Sequence, residues 1–105
     1  MNIKMLKHKF HAKKVENDGI RFPSQLEARW YNIIKDMKES GDVLFFLRQV
    51  PFHLTASVTY RADFMLFFQD GHVEIWECKG YDTPEWRIKK ELVENMYPIE
   101  IKVVK

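Results

Sequence analysis

With 105 residues, 46% of them hydrophobic and 14% aromatic, the chain holds one domain with a single core and needs no staples to fold. A lone cysteine excludes an internal disulfide, and no apolar run approaches the roughly 20 residues that cross a bilayer. The formal net charge of +2 is too small to argue for a nucleic-acid partner, but its distribution is uneven.

Lys4, Lys7, Lys9, Lys13 and Lys14 all precede the first acid, Glu16. Residues 1–14 therefore read as a basic arm on a core of residues 15–105, within one domain spanning 1–105. Lys7, Lys9, Lys13 and Lys14 are candidate phosphate contacts; a merely solvated terminus is the alternative. The arm lacks the apolar stretch of a signal peptide, so a cytoplasmic protein without membrane association is expected.

No repeat, low-complexity tract or linker divides the chain. Val15 to Phe22 predicts a short hairpin around Asn17-Asp18-Gly19. Pro23-Ser24 opens a helix whose apolar stripe runs through Leu26, Trp30, Ile33, Ile34 and Met37, and Ser40-Gly41 ends it. Asp42 to Thr55 predicts a strand, with Pro51 making its later part an edge or a break. Val58 to Phe68 and His72 to Lys79 predict two more, joined at Gln69-Asp70-Gly71. Thr83 is a suitable N-cap and Pro84 a suitable first residue for a helix to about Met96. Ile99, Ile101 and Val103 alternate in a last strand. The order, a hairpin and then α-β-β-β-α-β, predicts an α/β domain with helices against a mixed sheet.

The chemistry concentrates in Asp63 and in Glu77-Cys78-Lys79, which lie on adjacent predicted strands. Carboxylates in such apolar surroundings are costly to desolvate without a compensating cation. A two-residue Asp70-Gly71 turn would set Asp63 against Cys78, facing away from Glu77. A three-residue loop with Gly71 left-handed pairs Phe68 with His72 and puts Asp63 opposite Glu77, about 5 Å apart at the backbone. Glycine at the third loop position favours the second register. Two carboxylates so placed can share a divalent metal, with the Cys78 carbonyl as a further ligand. Mg²⁺ or Mn²⁺ is expected because the donors are oxygen. Glu77 and Lys79 leave the same strand face; the alternative to a metal site is a strand ion pair between them, with Asp63 an acid near the turn.

Glu27 admits two readings. In Ser24-Gln25-Leu26-Glu27 it completes a capping box, yet on a helical projection it falls within roughly 20° of Ile34, facing the sheet. It is carried as a candidate metal-site residue. Gln49 is an auxiliary polar candidate on the neighbouring strand. Lys89 and Lys90 read either as a solvated helix face or as contacts to DNA phosphate. The histidines show no metal-ligand spacing, and Tyr60, Trp76 and Trp86 read as core or rim aromatics.

Asp63 followed by Glu77-x-Lys79 resembles the motif of the PD-(D/E)xK nucleases, whose core has the same element order. The segments Phe22 to Glu27, Tyr60 to Phe64, Glu77 to Gly80 and Thr83 to Trp86 resemble small phage and prophage proteins of the Holliday-junction-resolvase-like type. Ala62 stands where the superfamily name has proline, a residue that shapes the strand without chemistry. The resemblance implies a restriction-endonuclease-like core. It implies catalytic roles for Glu27, Asp63, Glu77 and Lys79, with the lysine steadying the attacking water and the phosphate. It also implies a metal-dependent endonuclease acting on branched or structured DNA, as a homodimer without a small-molecule cofactor. A non-catalytic DNA-binding module of a phage replication or packaging complex, and an RNA-processing nuclease, are the alternatives.

Overall fold

Asp18 and Gly19 both take positive φ, 54° and 74°, as in a type I′ turn, whose twist suits a two-residue hairpin. They join β1 (Val15–Asn17) to β2 (Ile20–Phe22) in a small sheet of their own. The computed structural model describes residues 15–55 and 57–105. The basic arm, with Lys7, Lys9, Lys13 and Lys14, lies outside the described residues.

Helix α1 (Gln25–Glu39) begins at Ser24, whose hydroxyl accepts the Glu27 amide at 3.2 Å. The hairpin clasps this helix: the Tyr31 hydroxyl donates to Asp18 at 3.0 Å, and Lys35 pairs with the same carboxylate. Glu27, Ala28, Tyr31 and Ile34 face inward, with Trp30 and Met37 half-buried. The expected stripe is thus partly wrong, since Ile33 is 36% exposed. Tyr31 takes the inner face instead, drawn in by Asp18 and by the rings of Phe22 and Phe46, at centroid distances of 5.0 and 5.8 Å. Aromatic packing turns the helix about its axis relative to what aliphatic spacing suggests.

The main sheet runs β3 (Val43–His53), β4 (Thr59–Phe68), β5 (Val73–Cys78), β6 (Ile101–Val104) in spatial order. The first three strands are antiparallel and β6 lies parallel to β5. Parallel neighbours need a crossover, which α2 (Pro84–Met96) supplies. Its start is fixed by Thr83, which accepts the Trp86 amide at 3.2 Å, and by Pro84 in the first turn. Pro51 sits in β3 at the sheet edge, where its missing N–H is tolerated.

Two apolar clusters fill the interior. Ala28, Tyr31 and Ile34 of α1 pack with Phe22, Phe64, Leu66 and Trp76, while Trp86 and Val93 of α2 pack with Tyr60, Ala62, Ile75 and Ile101. Burying one such large side chain contributes roughly 1.5–3 kcal/mol. Even-numbered residues of β4 therefore change cluster between Ala62 and Phe64. The same change occurs on β3, where Phe46 packs in the first cluster and Val50 and Phe52 in the second. The crossover falls at Asp63 on one strand and Gln49 on the other. The result is a mixed α/β domain whose four-stranded sheet carries a helix in each cluster, as expected at the level of class. No helix among the described residues is long and apolar enough to cross a membrane.

Candidate active site

The register that the sequence leaves to one residue is settled at the β4–β5 turn. The Phe68 amide donates to the His72 carbonyl at 2.9 Å and the Gly71 amide to the Phe68 carbonyl at 3.0 Å. Gly71 has φ +96°, a conformation in which a Cβ is strained. The loop therefore holds three residues, and the ladder runs from Phe67↔Val73 to Phe64↔Trp76. One further step puts Asp63 across from Glu77, as expected. There the regular pattern stops, because the Cys78 amide donates to Asp63 Oδ2 at 2.8 Å.

On its other side Asp63 faces Gln49. The β3–β4 pairs Arg48↔Phe64 and Val50↔Ala62 bracket the two residues, and Gln49 has φ +53°. A left-handed non-glycine residue inside a strand costs on the order of 1–3 kcal/mol and persists only where its surroundings hold it. Here the side-chain amide donates to Asp63 Oδ1 at 3.3 Å and to Glu27 Oε2 at 3.4 Å. The strain thus coincides with a bridge between two acids.

Glu27 is 3% exposed, the outcome that the helical projection anticipated. The capping-box reading fails for its side chain. Ser24 caps the Glu27 amide, but the Glu27 carboxylate turns to the sheet, where Arg48 Nη2 donates to Oε2 at 3.1 Å. Arg48 is itself packed over the Phe22 ring, 4.4 Å from its centroid. Burial pushes the Glu27 carboxyl up to about 7, and the charge and hydrogen-bonding contact of Asp63 push the same way against Arg48. One guanidinium does not offset two crowded acids.

Glu77 behaves alike. Burial and then the Asp63 charge raise its carboxyl to about 7, opposed by the Tyr60 hydrogen bond and by Lys79 and Lys89. The Tyr60 hydroxyl donates to Glu77 Oε1 at 2.8 Å. Burial and the Glu77 charge keep that phenol protonated by raising its pKa. Burial, followed by the Asp63 charge, likewise raises the Cys78 thiol, which packs half-buried against the α1 cluster. Cys78 thus brings only its backbone to the acids.

Tyr60, Glu77, Lys79 and Lys89 line one cleft of about 460 Å³ beside Arg61, Thr83 and Trp86. Glu77 and Lys79 do share a face, and the Lys79 ammonium lies 5.2 Å from the centre of the Trp86 ring. Lys89 joins this cleft. Lys90 does not line it but pairs with Glu94 at 3.0 Å, while Glu94 accepts the Ile101 amide at 2.7 Å. The sequence reading missed Arg48 altogether and took Tyr60 for a packing aromatic. A charged residue inside the apolar β3 run was a signal for the first. The second had none, since only the fold shows that Tyr60 reaches Glu77.

Among the described residues no three His, Cys, Asp or Glu side chains converge as a ready-made cation cage. The donors on offer are Asp63 and Glu77, with Glu27 tied to Asp63 through Gln49. Their chemistry fits a hard divalent cation: all are oxygen, and burial, followed by the Asp63 charge, raises both glutamate carboxyls against the neighbouring arginine and lysines. Residues 7–104 match the family described as "Protein of unknown function (DUF1064)", and the chain belongs to that family. No protein of curated function and no solved structure matches the chain.

Proposed function

We propose that the chain is a metal-dependent DNA endonuclease with a restriction-endonuclease-like core, acting on branched or structured DNA. The observation that carries this reading is a run of contacts that links acids on three elements without closing them into a cage. Asp63 of β4 stands one step past the last β4–β5 pair, on the Glu77 side, and is bridged by Gln49 to Glu27 of α1, while Lys79 shares a cleft with Glu77. Arg48 and the hydrogen bonds from Gln49, Tyr60 and the Cys78 amide offset only part of the cost of burying these acids, a cost that a purely structural sheet would avoid. Asp63 and Glu77 would hold Mg²⁺ or Mn²⁺, with Glu27 in support and the Cys78 carbonyl as a further donor. The cation, when bound, supplies polarisation of the phosphate and acidification of the attacking water.

The chain's own residues supply the rest. Tyr60 fixes the Glu77 carboxylate through one oxygen and leaves the other free. Asp63 is fixed through both oxygens, Oδ1 by Gln49 and Oδ2 by the Cys78 amide. Lys79 and Lys89 bring positive charge to the cleft wall, where they would hold a phosphate oxygen and steady the charge that develops on it. Arg48 partly neutralises Glu27.

The test is cleavage, with Mg²⁺, of four substrates: matched duplex, single strand, four-way junction and RNA. The wild-type protein should cut the junction fastest, and Asp63→Ala, Glu77→Ala and Lys79→Ala should each lose activity while remaining folded. Binding without cleavage by the wild type would support a non-catalytic DNA-binding module. Preference for RNA would move the reading to RNA processing, and brisk cutting by Asp63→Ala would remove the site assignment.

A further inference from the structure

Tyr81 is the tyrosine that the fold does not use. Tyr31, Tyr60 and Tyr97 donate their hydroxyls to Asp18, Glu77 and the His53 carbonyl. Each also packs against another ring. Tyr81 has neither kind of partner among the described residues and is 76% exposed. It stands on the short loop between Lys79, just past β5, and Thr83, the cap of α2.

That loop borders a second cleft, of about 350 Å³, whose lining includes Tyr81, Lys79, Arg87, Lys90, Lys105 and Trp86. Lys79 and Trp86 line the acidic cleft as well. The two clefts are therefore adjacent, sharing one indole and one lysine. Asp82 is the only acid lining the second cleft among the described residues, and it is taken by Arg87 at 3.2 Å. Lys90 reaches Glu94, while Lys79 and Lys105 have no carboxylate within ion-pair distance among the described residues. An exposed aromatic ring beside cations in surplus is the combination that holds an unstacked base and its phosphate.

We propose that this cleft is a nucleotide subsite, in which an unpaired base stacks on Tyr81 and its phosphate is held by Lys79 and Lys105. The inference rests on the nuclease reading for its substrate and adds a specificity to it. A base within a duplex has both faces covered by its neighbours, so Tyr81 can engage only a nucleotide that has left the stack. The nucleotide beside the cleaved bond must then leave the stack, as in the single strand of a fork or flap or at the opened branch point of a junction. Cations alone would hold any DNA; the aromatic ring selects.

The test needs no cleavage. Without divalent metal, wild type, Tyr81→Ala and Tyr81→Phe are titrated with a forked duplex carrying 2-aminopurine in its single-stranded branch, and with the matched duplex. The wild type should quench the fluorophore and bind the fork roughly tenfold more tightly than the duplex. Tyr81→Ala should lose the quenching and about tenfold in affinity for the fork alone, and Tyr81→Phe should retain both. Equal binding and fluorescence for wild type and Tyr81→Ala would overturn the subsite. Cleavage with Mg²⁺ is scored separately. Tyr81-dependent quenching in a protein that cuts nothing leaves the subsite standing and removes the nuclease. Cutting with no effect of Tyr81 does the reverse.

Discussion

Gln49 carries more of the site than its residue type suggests. Its positive φ, its place across from Asp63 and its amide contacts to both Asp63 and Glu27 coincide at one position. If the backbone strain exists to aim that amide, glycine separates the two effects. Gln49→Gly relieves the strain and removes the amide, so stability should change by less than about 1 kcal/mol. Activity should nevertheless fall roughly tenfold or more, as when a ligand loses its supporting contact. Melting curves and cleavage rates of the same preparation check this; an unchanged rate would reduce Gln49 to a strand irregularity. Nothing in the sequence announced the left-handed backbone, because glutamine has no preference for it. Glu77 and Lys79 were legible as a pair because strand parity puts both on one face, whereas Asp63 joins them only through the register that Gly71 favours.

At the scale of elements, boundaries were readable wherever local chemistry sets them. Ser24, Thr83 and Pro84 start both helices and Asp18-Gly19 turns the first hairpin, all from side-chain or φ preferences that act within a few residues. The inward face of α1 was less readable, because Tyr31 is placed by Asp18, Phe22 and Phe46, from other elements. The β4–β5 register lies between these cases, resting on the single glycine at position 71. Gly71→Ala should cost about 1 kcal/mol through the strained φ, with the register kept. Deleting His72 keeps the three-residue loop but brings Phe68 against Val73, a shift of one that moves Asp63 opposite Cys78. That deletion should abolish cleavage outright, and Gly71→Ala should not. Loss of activity in Gly71→Ala without loss of stability would contradict the register argument.

For the whole molecule, the acid cluster links stability to pH and to cations. Glu27 and Glu77 titrate at about 7 in the folded chain, above their ordinary value of 4.5. The fold therefore favours their protonated forms. Their contribution is fully present below about pH 4.5 and is lost as pH rises through 7. The melting temperature of metal-free protein should fall between pH 5 and pH 8, by roughly 5 °C or more. Glu77→Gln should flatten that fall, and Mg²⁺ at pH 8 should reverse it in the wild type. A melting temperature that rises over the same interval, unaltered by Glu77→Gln, would mean that the acids are compensated within the fold.

The central claim, that these acids form a cation site, is tested most directly by calorimetric titration of Mg²⁺ into metal-free protein at pH 7. Two buffers of different ionisation enthalpy are needed. A cation entering the cluster must displace protons from Glu27 and Glu77, which are part-protonated at that pH. The account predicts saturable binding whose heat differs between the buffers by the enthalpy of the protons released, and its loss in Asp63→Asn. Absence of binding in the wild type, or binding that Asp63→Asn leaves intact and that releases no protons, would contradict it.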